Sequence, residues 1–126
     1  MNKKPTRPLP EGFHCAGIHA GVGKKPEKPD MALFYSEVPC STAALFTTNL
    51  VKAAPVLVSR EHVKGGTAQV IVVNSGCANA CTGKEGLSDA KEMGRLTARE
   101  MGVGEKLALV ASTGVIGAFL PMPKVR

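Results

Sequence analysis

The chain has 126 residues, 44% apolar and 21% charged, which suits one globular domain or part of one and is too short for two cores. Aromatic residues make up 4%, with no Trp and one Tyr, so Val, Leu, Ile, Ala and Met must build the core. The formal charge of +6 comes with Lys3, Lys4, Arg7, Lys24, Lys25 and Lys28 set among prolines and glycines; with no aromatic platform beside them for base stacking, they read as a solvated segment rather than a phosphate-binding arm.

Residues 1–12 lack the apolar run and cleavage site of a secretory signal, and no apolar run approaches the roughly 20 residues that span a bilayer. The sequence therefore reads as cytosolic. In that compartment Cys15, Cys40, Cys77 and Cys81 are expected to be free thiols, with Cys77 and Cys81 acting as small buried hydrophobes.

In chain order, residues 1–11 read as an extended basic lead-in and residues 12–18 as a first short strand. A lysine- and proline-rich loop follows over 21–30. Residues 31–36 have strand composition and end before Pro39, and residues 42–49 predict a second strand paired antiparallel with them across a Pro-Cys-Ser turn. Pro55 biases the residue before it away from helix, and residues 56–59 read as extended again. Residues 60–66 form a short helical turn or loop. The β-branched run over 69–74 predicts a strand buried on both faces.

From Gly86 to Met101, the residues Leu87, Ala90, Met93, Leu96 and Met101 recur at helical spacing. Thr82 and Glu85 fit a capping box, and Gly102 or Gly104 supplies the stop. Residues 106–111 return as a strand. Strand, glycine-bearing loop, helix and strand over residues 69–111 together predict an α/β (α+β) layer of helix on sheet.

The apolar run from Leu107 to Gly117 is interrupted by Ser112-Thr113-Gly114. A glycine lets backbone approach a ligand, so the Thr113 hydroxyl and a neighbouring amide could face one oxygen as an oxyanion hole. The plainer alternative is a β-bulge. The loop from Asn74 to Lys84 fails as a phosphate cradle: six residues separate Gly76 from Gly83, where a Walker-type loop has four, and Glu85 follows Lys84. His14, Cys15 and His19, or Cys77 and Cys81, lack metal-ligand spacing. No Gly-x-Ser-x-Gly or cysteine-protease signature supplies a nucleophile.

Several longer motifs, taken in order, resemble the ornithine acetyltransferase (ArgJ) family, the bifunctional glutamate N-acetyltransferases of arginine biosynthesis. They are Phe34 to Glu37, Leu45-Phe46-Thr47-Thr48-Asn49, Lys52-Ala53-Ala54-Pro55-Val56, Val72-Val73-Asn74-Ser75-Gly76, Ala78-Asn79-Ala80-Cys81-Thr82-Gly83 and Ser112-Thr113-Gly114-Val115-Ile116-Gly117. Cys77 departs from the Asn expected in many members. The resemblance implies helices outside two stacked β-sheets, similar to N-terminal-nucleophile hydrolases, with residues 12–126 as a single incomplete domain, the front part of an α chain. A β chain cut from the same precursor would complete the sandwich and bring a threonine nucleophile at its start, in an α2β2 heterotetramer.

By the same resemblance, acetyl passes from N-acetylornithine to glutamate by ping-pong transfer. Thr113 and Gly114 form the oxyanion hole, and no resident cofactor is needed, although some members take acetyl-CoA as donor. Asn74 and Asn79 receive either a supporting role in the loops or simple side-chain capping. A non-catalytic basic binding module or an inactive truncated fragment are the alternative readings of the residues.

Overall fold

In the computed structural model, which describes residues 9–23 and 28–126, four strands form one mixed sheet in the order β1-β2-β3-β4. Most of the expected basic lead-in, together with Lys24 and Lys25, lies outside the described residues. Strand β1 (Phe13–Ile18) pairs antiparallel with β2 (Met31–Ser41), and β2 antiparallel with β3 (Thr67–Cys77). Strand β3 runs parallel to β4 (Ala108–Val115), and the crossover between them carries α2 (Gly83–Glu100). The α+β class read from the sequence is the one observed.

Helix α2 and helix α1 (Ala54–His62) cover one face of the sheet. Val58 of α1 and Ala90 and Met93 of α2 pack against Val72 and Val110, and Leu120 and Met122 close the same core. The predicted α2 face is largely the observed one, and small residues bring the helix close: a methyl on Gly94 would stand 3.2 Å from Val110 Cγ1. Gly102, with φ +66, ends the helix as expected. The capping box is not formed. Thr82 stands at the N-cap, but its hydroxyl donates to Asn79 Oδ1 instead of accepting from the helix.

Four further expectations are corrected. Strand β2 does not end before Pro39 but continues through it to Ser41, with a register shift between Tyr35 and Cys40 that absorbs the missing N–H. Residues 42–49 form no strand: Asn49 N–H donates to Thr47 Oγ1 and Val51 N–H to Asn49 Oδ1, local bonds that replace a ladder. Residues 56–59 are helical, because Pro55 sits in the first turn of α1, where its fixed φ suits the helix and its missing N–H costs nothing; the extended residue is Ala53. Strand β3 is buried on one face only, with Val70 and Val72 inside and Ile71 39% exposed.

The opposite face of the sheet has no covering layer among the described residues. Phe13, Phe34 and Ile71 stand exposed on it, two-residue alternates of the buried Val70 and Val72 row. Of the cysteines, Cys77 is buried as expected, but Cys81 is exposed. No helix among the described residues is long and apolar enough to cross a membrane.

Helix α1 lies along the outer edge of β4. Ser59 Oγ accepts from Val110 N–H (2.9 Å) and donates to Val110 C=O (2.7 Å), while His62 Nδ1 donates to Ala108 C=O (2.8 Å). Side chains of a helix thus stand in for a fifth strand. At the other end of the sheet, the connection between β1 and β2 is closed by Asp30. Its buried carboxylate accepts from Ala20 N–H (2.7 Å) and Gly23 N–H (2.8 Å), and its backbone donates to Ile18 C=O and accepts from Ser75 N–H.

Three expectations follow from this architecture. Made alone, the chain self-associates through its open apolar face, and Phe34→Ser combined with Ile71→Thr shifts sedimentation toward monomer; an unchanged distribution would contradict this. Ser59→Ala leaves the Val110 amide and carbonyl without partners, at a cost of about 1–3 kcal/mol read from denaturation or from faster exchange of the Val110 amide. Burial alone would raise the Asp30 pKa, but the Gly23 and Ala20 amides and nearby His19 outweigh it and hold the carboxyl below its ordinary 3.8. A lowered folded pKa gives stability that is present above the unfolded value and lost as pH falls through the folded one. Amides of residues 20–23 should therefore stay protected from exchange down to about pH 4 and lose protection on further acidification.

Candidate active site

The interruption Ser112-Thr113-Gly114 proves to be uninterrupted strand. Strand β4 continues through it to Val115, in register with Asn74 to Cys77 of β3, so it is neither a break nor a bulge. The three residues lie at the carboxyl end of the parallel pair, where an open α/β sheet leaves a crevice for ligands.

Two observations fix where the Gly114 amide points. Val110 N–H and C=O both face Ser59, away from β3, and two-residue alternation turns Gly114 the same way; Val115 C=O, one residue on, faces inward and accepts from Ala78 N–H (2.9 Å). Gly114 also has φ +131, and a Cβ there would point into β3, 2.3 Å from the Gly76 carbonyl carbon. Its N–H must then face outward. Among the described residues no side-chain or loop acceptor meets that amide, because the capping of the edge by α1 stops at Val110.

Thr113 is exposed and belongs to the alternate row, so its side chain stands on the uncovered face beside Ser75, its register partner. Its hydroxyl and the next amide are therefore donors of successive residues, one on the open face and one on the open edge. Gly114 also lines a concavity of about 510 Å³ with Gly23, Lys28, Asp30, Ser75 and Gly76. A separate apolar groove of about 340 Å³, between α2 and strands β1 and β2, lies on the helix side of the sheet and includes neither Thr113 nor Gly114.

Only glycine fits where these backbones meet. A Cβ on Gly76, which has φ +102, would fall 2.4 Å from Gly23 Cα and 2.9 Å from Gly23 N, just as one on Gly114 would strike Gly76. Loop, β3 and β4 are thus in direct backbone contact, a layering that no spacing of residues announced.

Asn74 and Asn79 are fully buried. Asn79 donates to Gly86 C=O (2.8 Å) and accepts from Thr82, in a loop so tight that a Cβ on Gly86 would lie 1.8 Å from Thr82 Oγ1. This is side-chain capping. Asn74 donates to Cys77 C=O (2.8 Å), which braces the end of β3 from the helix side, while its Oδ1 and Ser112 Oγ beside it have no partner. Sequence reasoning passed over Asp30 and Ser59, whose partners lie far along the chain. Among the described residues no group of three or more His, Cys, Asp or Glu comes together as a metal site.

The sequence pattern of the ArgJ family matches residues 14–126. The arginine biosynthesis bifunctional protein ArgJ of Caldanaerobacter subterraneus is 53% identical over 117 residues, covering 93% of this chain and 28% of that protein. The mitochondrial ArgJ of Penicillium rubens is 50% identical over 124 residues, or 95% of this chain and 26% of that one. The chain thus spans less than a third of the length of these curated relatives. The crystal structure of ArgJ from Bacillus halodurans matches with a TM-score of 0.87 at 46% identity, covering 91% of this chain and 60% of that one. Ornithine acetyltransferase from Mycobacterium tuberculosis, solved in complex with ornithine, matches with a TM-score of 0.82 at 40% identity, covering 92% and 63%. Similar in sequence and in fold over nearly all of its length, this chain belongs to the ArgJ family.

Proposed function

We propose that this chain is the N-terminal part of the α chain of an acetyltransferase of arginine biosynthesis, moving acetyl from N-acetylornithine to glutamate. The observation that carries the reading is the outward-facing Gly114 amide next to the exposed Thr113 hydroxyl, at the carboxyl end of the parallel strand pair. Family membership and the likeness to a solved ornithine acetyltransferase support the same chemistry.

In this reading a threonine at the start of a β chain attacks the acetyl carbonyl, with its own α-amine as base. Negative charge gathers on the carbonyl oxygen, and the Thr113 hydroxyl and Gly114 N–H donate to it. The backbone that carries both donors is fixed by pairing with β3 before the substrate arrives, which limits the reorganisation needed to stabilise the oxyanion. Ornithine leaves, and glutamate takes the acetyl group from the threonine through a second tetrahedral oxyanion in the same place. Acetyl-CoA serves as an alternative donor substrate, and no resident cofactor is required. The uncovered sheet face accepts the remaining layer of the sandwich, within an α2β2 assembly. We place the reaction in the cytoplasm, where the four free cysteines stay reduced.

Co-production of this chain with the downstream portion of a full-length relative is expected to restore acetyl exchange between N-acetylornithine and glutamate. Thr113→Ala in that assembly should lower turnover by about 10²–10³-fold. The thermal midpoint should barely move, because the side chain is exposed. Parental turnover in Thr113→Ala would overturn the assignment.

A further inference from the structure

We propose that Asp30 is a positioning residue for acyl transfer at Thr113 and Gly114, holding the loop whose backbone backs Gly76 and, through it, Gly114. The inference rests on the acyl-transfer reading above and adds to it a residue with no contact to the reacting atoms.

Asp30 uses every polar group it has. The carboxylate accepts from Ala20 N–H (2.7 Å) and Gly23 N–H (2.8 Å), the backbone N–H donates to Ile18 C=O (2.9 Å), and the backbone C=O accepts from Ser75 N–H (2.8 Å). One residue therefore ties the loop over 20–23 to both β1 and β3. Ser75 is the register partner of Thr113, and its neighbour Gly76 is the register partner of Gly114. The tie ends one strand away from the oxyanion donors.

Contact carries it the rest of the way. Gly23 lies against Gly76, and Gly76 against Gly114, closely enough that an added Cβ would fall 2.4 Å from Gly23 Cα and 2.3 Å from the Gly76 carbonyl carbon. No side chain sits between these backbones to yield by changing rotamer, and packed interiors transmit displacement rather than absorb it. Among the described residues, no side-chain or loop hydrogen bond supports the far edge of β4 beyond Val110. Among the described residues, the Gly114 backbone is thus backed from the β3 and loop side. An outward shift of Gly23 opens room behind Gly76 and releases Gly114 from its place.

The chemistry requires a carboxylate. Two N–H groups converge on two oxygens, and an Asn of the same shape offers one acceptor while turning an NH2 toward the second amide. Asp30 is not itself a candidate acid or base, since both oxygens are taken up by amides and its acidity is increased.

The test compares Asp30→Asn, Asp30→Ala and Thr113→Ala in the chain assembled with its downstream polypeptide. Misplacement of an oxyanion donor predicts that kcat falls by about 10–100-fold in both Asp30 variants, while KM for N-acetylornithine and glutamate stays within about twofold. Amide exchange at Ser75, whose N–H donates to Asp30 C=O, and at Gly76 rises in the same variants. Asp30→Ala carries no opposing donor and keeps the test valid where Asp30→Asn fails to fold. Parental kcat in either folded Asp30 variant, with Thr113→Ala impaired, overturns the role of Asp30 alone. Unchanged exchange at Ser75 and Gly76 also overturns it. Parental activity in Thr113→Ala overturns the acyl-transfer reading, and this proposal with it.

Discussion

Everything at the carboxyl end of the parallel pair follows from backbone lying directly on backbone. At Gly76 and Gly114 the space where a Cβ would project is filled by the neighbouring chain, and both residues have the positive φ that aims that position sideways into the sheet. A glycine so placed turns its N–H and C=O to the side opposite its would-be Cβ. For Gly114 that side is the free edge of β4. The conformation that makes the contact possible is therefore the one that exposes the donor.

An open edge is a hazard, since unpaired strand groups recruit other chains. Along the first half of β4 the hazard is removed by α1, whose Ser59 and His62 satisfy Val110 and Ala108 as a neighbouring strand would. The protection ends where the candidate site begins. The same division appears on the sheet faces: helices seal one, while Phe13, Phe34 and Ile71 remain uncovered on the other, together with Thr113. The chain spans less than a third of its curated relatives, and in the acyl-transfer reading this apolar face is where the remaining layer of the sandwich docks.

The candidate site was legible in part. Ser112-Thr113-Gly114 stands out because polar residues and a glycine interrupt an apolar run, and its longer context resembles the ArgJ family. Its support was not legible. Asp30 reaches Gly23 and Ser75, and Ser59 reaches Val110, 51 residues away, through contacts that leave no periodic trace in the sequence. Thr82 and Glu85 carried a capping signature, yet the Thr82 hydroxyl went to Asn79, because a buried amide oxygen in a tight loop competes for the same donor.

By itself the sequence determined what depends on neighbours along the chain: helix α2 from its apolar spacing and its terminal glycine, the cores of β1, β3 and β4 from their side-chain composition, and the α+β class from their succession. Tertiary structure decided what depends on partners across space. It carried β2 through Pro39, because a bulge could absorb the missing N–H. It docked α1 as a helix against the edge of β4, where Ser59 and His62 find their partners, and it left residues 42–49 without a ladder, because no strand lay beside them. It also covered one face of β3 and left the other bare. Composition and spacing report the propensity of a segment; which of its hydrogen-bonding groups find a partner is settled only when distant segments meet.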